Sequence, residues 1–134
     1  IYIRLSDLNI NSAILEKYFD WFKELMSCEE IDLSKNQIEF LTKDFLLNSA
    51  IKNMRYLNLS GNMLKHFSSF YLNHGIKDEL VLDLSFNYLN QTSFLIENKI
   101  QLSKLVLNHN NFSSFDFKLL MIFSNTKILS INSN

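Results

Sequence analysis

The sequence contains one cysteine and no cluster of basic residues, and each of these scarcities excludes a class of site. Because Cys28 is alone, the chain can form neither an internal disulfide nor a metal site built from cysteines. The formal net charge is −1 and no three lysines or arginines are consecutive, so the chain lacks the basic patch that binds a phosphate backbone. We therefore expect no nucleic acid among its partners.

Long apolar segments and targeting signals are also missing. Uninterrupted apolar runs fall far short of the roughly 20 residues that cross a bilayer, so we predict no membrane span. The chain begins with IYIRLSDL, which has neither an initiator methionine nor the layout of a signal peptide. The single cysteine favours a reducing, cytoplasmic compartment, and a secreted protein whose signal peptide has been removed is the alternative.

No constellation of residues predicts catalysis. His66, His74 and His109 are scattered, and no two of them have metal-ligand spacing on a common element. The nucleophile elbow G-x-S-x-G, the phosphate-binding glycine loop and the zinc motif H-E-x-x-H do not occur. We predict a protein that is not an enzyme and that has no cofactor and no metal site.

What the sequence does contain is a repeated pattern, L-x-x-L-x-L-x-x-N-x-L. Four copies place two aliphatic residues and an asparagine at fixed distances, namely Ile31, Leu33 and Asn36; Leu57, Leu59 and Asn62; Leu82, Leu84 and Asn87; and Leu105, Leu107 and Asn110. A weaker copy at the start has Leu8 in place of the asparagine, and another ends at Asn134. In one copy the first consensus position falls on Glu79 beside Leu80, so the register there is open by one residue.

This pattern resembles the leucine-rich repeat family over the whole chain, residues 1–134. The resemblance implies a single domain with the fold of an α/β solenoid. It would form an arc of about six repeats, with a parallel β-sheet on the concave side and short helices or 3₁₀ turns on the convex side. The first and last repeats are atypical or incomplete, which leaves open that the chain is a fragment of a longer one.

The asparagines have a structural explanation. Each follows a short segment of period-two alternation, such as YLNLS, where a strand ends and the chain bends inward. The bend leaves backbone N–H and C=O groups without partners, and one asparagine side chain can both donate and accept. The resemblance assigns this role to a ladder of stacked side chains, Asn36, Asn62, Asn87 and Asn110.

The segments that return between strands are also patterned. Phenylalanines recur at similar distances past each asparagine and predict an internal aromatic spine of Phe45, Phe70, Phe94 and Phe117. Helical periodicity is clear only in residues 12–25, where one predicted apolar stripe contains Ile14, Tyr18, Phe22 and Leu25. Cys28 replaces the first leucine of its repeat, so we expect it in the core as a small hydrophobic residue.

Function is expected on the strand residues that face away from the core. Two outward columns read Tyr2, Glu30, Tyr56, Val81, Lys104 and Ile128, and Arg4, Asp32, Asn58, Asp83, Val106 and Ser130. The column before the asparagines reads Asp7, Lys35, Gly61, Phe86, His109 and Ser133. From these columns we select a candidate site of five residues, Tyr56, Val81, Asp83, Phe86 and His109.

The resemblance implies a non-enzymatic interaction module that binds a protein or peptide through this concave surface. Apolar residues beside charged ones are typical of such surfaces. The alternatives are a structural component of a larger assembly, packed through its ends or convex side, and a secreted recognition protein. Fold alone does not decide between them.

Overall fold

The computed structural model describes residues 1–18, 28–42, 53–68, 80–95, 102–114 and 126–134. These ranges contain one helix and eight strands. In chain order they are β1 (Tyr2–Arg4), α1 (Ser12–Lys17), β2 (Glu30–Asp32), β3 (Tyr56–Asn58), β4 (Phe67–Ser68), β5 (Val81–Asp83), β6 (Phe94–Leu95), β7 (Leu102–Val106) and β8 (Thr126–Ser130).

Six of the strands form one parallel sheet with the order β1-β2-β3-β5-β7-β8. This order follows the chain, because the two strands left out, β4 and β6, pair with each other in a second parallel sheet. Each sequence repeat therefore adds one strand beside the strand of the repeat before it. The predicted solenoid with a parallel sheet is confirmed, and it contains little helix within the described ranges.

The strands alternate between buried and half-buried side chains. In β2, β3 and β5 the middle residue is buried and the two flanking residues are half-buried. The buried residues are in register, since Ile31 pairs with Leu57 and Leu57 with Leu82. Period-two alternation thus sends one aliphatic column into the core and leaves the flanking columns on the outer face of the sheet.

The register that the sequence left open at Glu79 and Leu80 is resolved. Leu80 is fully buried, and the strand that follows it keeps its pairing, with Leu82 opposite Leu57 on one side and Leu105 on the other. The one-residue difference from the consensus therefore lies before β5 and does not change the pairing of this strand. Glu79 itself lies outside the described residues.

The asparagine side chains hold successive repeats together. Asn62 illustrates the pattern: its Nδ2 donates to the carbonyl oxygens of Leu33 and Leu59, each at 3.0 Å, and its Oδ1 accepts from the backbone N–H of Ile38 at 3.1 Å. Two of these groups belong to the preceding repeat, so each asparagine serves the backbone of its neighbour as well as its own. Equivalent bonds are made by Asn36, Asn87 and Asn110. We call these four residues the asparagine ladder.

The direction of these bonds explains the atypical first repeat. The backbone N–H groups of Leu8 and Ile10 donate to Oδ1 of Asn36, which belongs to the second repeat. These two groups are therefore satisfied by a side chain of the following repeat, whatever residue occupies position 8. Leu8 is exposed there instead of lying in the interior.

The described parts of two return segments contain short strands. In β4 and β6, Phe67 pairs with Phe94 and its N–H donates to the carbonyl of Ser93 at 3.0 Å. Stacked repeats bring equivalent backbone segments close enough to form hydrogen bonds between strands. The rest of the predicted convex elements, and the spine residues Phe45, Phe70 and Phe117, lie outside the described residues.

Phe94 lies in the core, as predicted, with partners that the spine did not include. Its ring centroid is 6.1 Å from that of Phe67 and 5.9 Å from that of Phe112, in a stacked and an edge-on arrangement respectively. Both geometries are favourable for aromatic rings, and all three rings are buried. Among the described residues, the aromatic packing thus connects three successive repeats. Phe67 and Phe94 come from the first two of them, and Phe112 is the last consensus position of the third.

The helical stripe was wrong at the two positions that the structure describes. Ile14 and Tyr18 are exposed, and the buried residues of α1 are Ser12 and Leu15. The Ser12 hydroxyl accepts from the backbone N–H groups of Glu39 and Phe40, which turns that side of the helix towards the second repeat. Leu15 lies three residues later on the same side and enters the core. Phe22 and Leu25 lie outside the described residues.

Two further expectations concern Cys28 and membranes. Cys28 is buried with its thiol free, and burial raises the pKa of the thiol, so the residue behaves as the core position predicted. Among the described residues, no helix is both long and apolar enough to cross a membrane.

Candidate functional site

Three residues of the candidate site lie on strands and two lie on turns. Tyr56 is the first residue of β3, and Val81 and Asp83 are the first and last residues of β5. Phe86 and His109 occupy the turns that follow β5 and β7. The structure therefore divides the site into a strand half and a turn half.

The strand half is held by sheet register. Tyr56 pairs with Val81, and Asp83 pairs with Asn58, two residues along the strand from Tyr56. All of these side chains are half-buried on the outer face of the sheet. Neighbouring strands are roughly 4.8 Å apart, so Tyr56, Val81 and Asp83 form one continuous surface.

Tyr56 is surrounded by carboxylates. Its pKa is raised above the ordinary value of a tyrosine, first by burial and then by the negative charges of Asp83, Asp32 and Glu30. Asp32 and Glu30 were absent from the five predicted residues. The signal for them was present in the sequence, because they occupy the same outward columns one repeat earlier and parallel register makes them neighbours of Tyr56.

The turn half consists of two stacked rings. The centroids of Phe86 and His109 are 4.2 Å apart and their planes differ by 14°. Both side chains are exposed, Phe86 to 57% of its surface. Twenty-three residues of sequence separate them, and the repeat brings them to equivalent positions in adjacent turns.

The backbone at both rings is left-handed. Phe86 and His109 each have a φ of 54°, a region that side chains with a Cβ rarely occupy and that costs roughly 1–2 kcal/mol. Equivalent residues of every repeat share this conformation, and we call them the left-handed column: Asp7, Lys35, Gly61, Phe86, His109 and Ser133.

Hydrogen bonds between repeats fix this conformation. The N–H of Phe86 donates to the carbonyl of Asn108 at 2.9 Å, and the N–H of His109 donates to the carbonyl of Asn132 at 3.0 Å. Asp7, Lys35 and Gly61 make the same bond to the repeat that follows. Sequence reasoning missed this feature, since only the glycine at position 61 signals a positive φ.

Asp83 connects the two halves. Its Oδ1 accepts from the backbone N–H of Ser85 at 2.9 Å and from the Ser85 hydroxyl at 2.7 Å, and Ser85 directly precedes Phe86. The carboxylate therefore braces the turn that carries the aromatic stack. Among the described residues no direct contact joins Tyr56 or Val81 to the two rings, so the halves are adjacent regions of one surface.

The five residues of the site form a surface that is half-buried on the strands and exposed on the turns. A cavity of about 460 Å³ lies elsewhere, lined by residues 112–114 and 131–134. The described ranges contain no group of three or more histidine, cysteine, aspartate or glutamate side chains arranged to hold a metal ion. An open surface with exposed rings and carboxylates can bind another macromolecule by contact.

No protein-family model matches the sequence, and comparison with curated proteins and with solved structures found no similar protein. Function is therefore inferred from the geometry of the site and from the sequence pattern.

Proposed function

We propose that the chain is a leucine-rich repeat protein that binds a protein or peptide partner through the concave face of its sheet, without catalysis. The family assignment is supported by the sequence pattern together with the bonds of the asparagine ladder. Each asparagine joins two repeats, as an interior ladder of this family would. The parallel sheet with one strand per repeat agrees with this assignment.

The observation that carries the binding function is the exposed stack of Phe86 and His109. An aromatic ring that is 57% exposed on a left-handed backbone is unfavourable in two respects, namely hydration of the apolar ring and backbone strain. The backbone strain is common to all six residues of the left-handed column, so the exposed ring is what distinguishes Phe86. Burial of the ring under a partner would recover the hydrophobic part of this cost.

The neighbouring strand half supports the same function. Tyr56 and Val81 supply apolar area next to Asp83, and tyrosine is among the residues that contribute most to binding energy at protein interfaces. The two halves together offer anchors for a ligand that lies across three successive repeats.

The test is selection of binders from a displayed library of random linear peptides, panned against the folded chain. Selected peptides should lose most of their affinity, by tenfold or more, for the double variant Tyr56→Ala with Phe86→Ala. Tyr88→Ala is the matched control, because Tyr88 is an equally exposed aromatic residue beyond the asparagine ladder. Thermal unfolding should confirm that all variants remain folded.

Peptides that bind the double variant as tightly as the unchanged chain would reject the concave site. Binding that is lost in Tyr88→Ala would instead place the interface beyond the ladder and favour the component of a larger assembly.

A further inference from the structure

The outer face of the three adjacent strands β2, β3 and β5 carries charge of one sign. Its six outward residues are Glu30, Asp32, Tyr56, Asn58, Val81 and Asp83, of which three are carboxylates and none is a cation. Among the described residues of this face, cations lie on the flanking strands, where Arg4 pairs with Asp32 and Lys104 pairs with Val81, and at Lys35 in the turn after β2. The negative region is therefore confined to the part of the face that contains Tyr56.

Register sets the spacing of the carboxylates. Asp32, Asn58 and Asp83 lie opposite one another on consecutive strands, so the two aspartates are separated by two strand spacings, roughly 10 Å. Tyr56 lies diagonally between them on the middle strand, and Glu30 lies beside Tyr56. A ligand group placed above Asn58 would meet a carboxylate on each side and the phenol ring next to it.

Hydrogen bonds orient both aspartates. Oδ1 of Asp32 accepts from the N–H of Ser34 at 2.9 Å, and Oδ1 of Asp83 accepts from Ser85. Among the described residues, every hydrogen bond to these two carboxylates is accepted by Oδ1. In each case Oδ2 is thus the oxygen that can accept from a ligand.

Building on the proposed function, we infer that the partner is a peptide segment with an arginine or lysine side chain, received between Asp32 and Asp83 beside Tyr56. Opposite charge favours this occupant, because a cation can form charge-assisted hydrogen bonds with the carboxylates and pack on the tyrosine ring.

The turn half adds a second requirement for the peptide. Three residues separate Asp83 from Phe86, which corresponds to at most about 10 Å of chain. An extended peptide covers that distance in about three residues. The ligand therefore carries an apolar side chain about three positions from its basic residue, and this side chain packs on the Phe86–His109 stack.

The test uses the same library of random linear peptides. Enriched sequences should contain an arginine or lysine with an apolar residue about three positions away. Synthetic peptides of these sequences should bind the double variant Asp32→Asn with Asp83→Asn at least tenfold more weakly. Each asparagine keeps Oδ1, and Asn58 already accepts from the N–H of Ser60 at the equivalent position, so the turns should remain intact.

The matched control removes two charges elsewhere. Glu16→Gln with Glu39→Gln neutralises two exposed glutamates, one on α1 and one beyond the asparagine ladder. This variant should bind the peptides unchanged, which separates a local pairing from the effect of net charge.

The outcomes distinguish the two proposals. Peptides that require Tyr56 and Phe86 but lack basic residues, or that bind the aspartate variant normally, would overturn the basic partner and leave the concave site standing. Peptides that tolerate loss of Tyr56 and Phe86, or the absence of any enriched peptide, would overturn both. A polyanionic peptide among the selected sequences would also contradict the inferred charge.

Discussion

The asparagine ladder and the left-handed column are adjacent in the four repeats that contain both, and they are constrained in opposite ways. Along the ladder the residue type is constant, because each side chain donates and accepts in the interior. Along the left-handed column the backbone is constant, with φ between 54° and 65°, while six residue types occur: Asp7, Lys35, Gly61, Phe86, His109 and Ser133.

This difference shows where the fold leaves side chains free. The ladder needs a specific amide, whereas the turn before it needs only a backbone conformation and an N–H that reaches the next repeat. Glycine adopts that conformation without steric cost, and it occurs at one position of six. The other five turns carry side chains at a cost in strain, and Phe86 and His109 use that freedom to form an exposed stack.

The largest expected effect breaks the ladder. In Asn110→Leu, the N–H of Leu89 loses its partner in the interior. The carbonyls of Leu84 and Leu107 each lose one bond and keep another, from Nδ2 of Asn87 and of Asn134 respectively. An unsatisfied buried group costs roughly 1–3 kcal/mol, so the free energy of unfolding should fall by about 1–3 kcal/mol. Denaturant unfolding followed by circular dichroism measures this loss.

The neighbouring residue provides the control. Asn111 is exposed, and Asn111→Leu should change the free energy of unfolding by no more than about 0.5 kcal/mol. Equal losses in the two variants would show that the cost comes from leucine in this turn and not from the lost amide.

An intermediate effect tests the left-handed column. Gly61→Ala should destabilise the fold by about 1 kcal/mol, because φ there is 65°. An added Cβ would meet only ordinary contacts, at 3.5 Å from atoms of Lys35, so backbone strain is the cause. The same order should hold at Phe86, with Phe86→Gly more stable than Phe86→Ala by about 1 kcal/mol. Thermal unfolding of the three variants would refute the assignment if alanine were preferred at both positions.

The sequence was sufficient to predict the parts of the molecule governed by a repeating side-chain requirement. Alternation such as that of Leu57 and Leu59 predicts a strand with one buried face, and constant spacing of repeats predicts parallel pairing. The same reasoning selected Tyr56, Val81 and Asp83 as outward residues of adjacent strands. Their half-burial follows from the pleat alone.

Features that depend on the backbone conformation or on packing between repeats could not be predicted from the sequence. Five of the six left-handed residues carry side chains, so composition gave no indication of a positive φ. The helix was assigned the stripe of Ile14, although the bonds of Ser12 with the next repeat turn another side inward. Spacing within one repeat cannot reveal contacts of this kind, because they depend on how two repeats are stacked.

The smallest expected effect concerns the ionisation of Tyr56 on the outer face of the sheet. Burial and the charges of Asp83, Asp32 and Glu30 raise its pKa in the folded state. The unfolded chain ionises at the ordinary value of about 10, so the native state binds more protons above that pH. The resulting stability is fully present below pH 10 and is lost as the pH rises through the folded pKa. Tyr56→Phe should remove this part of the alkaline loss, as measured by unfolding from pH 9 upward.

Asp83→Asn should lower the pKa of Tyr56 in an ultraviolet titration, because Asp83 makes the largest of the three charge contributions. An unchanged titration would mean that Asp83 does not face the phenol, and Asp83 would then be removed from the strand half of the candidate site.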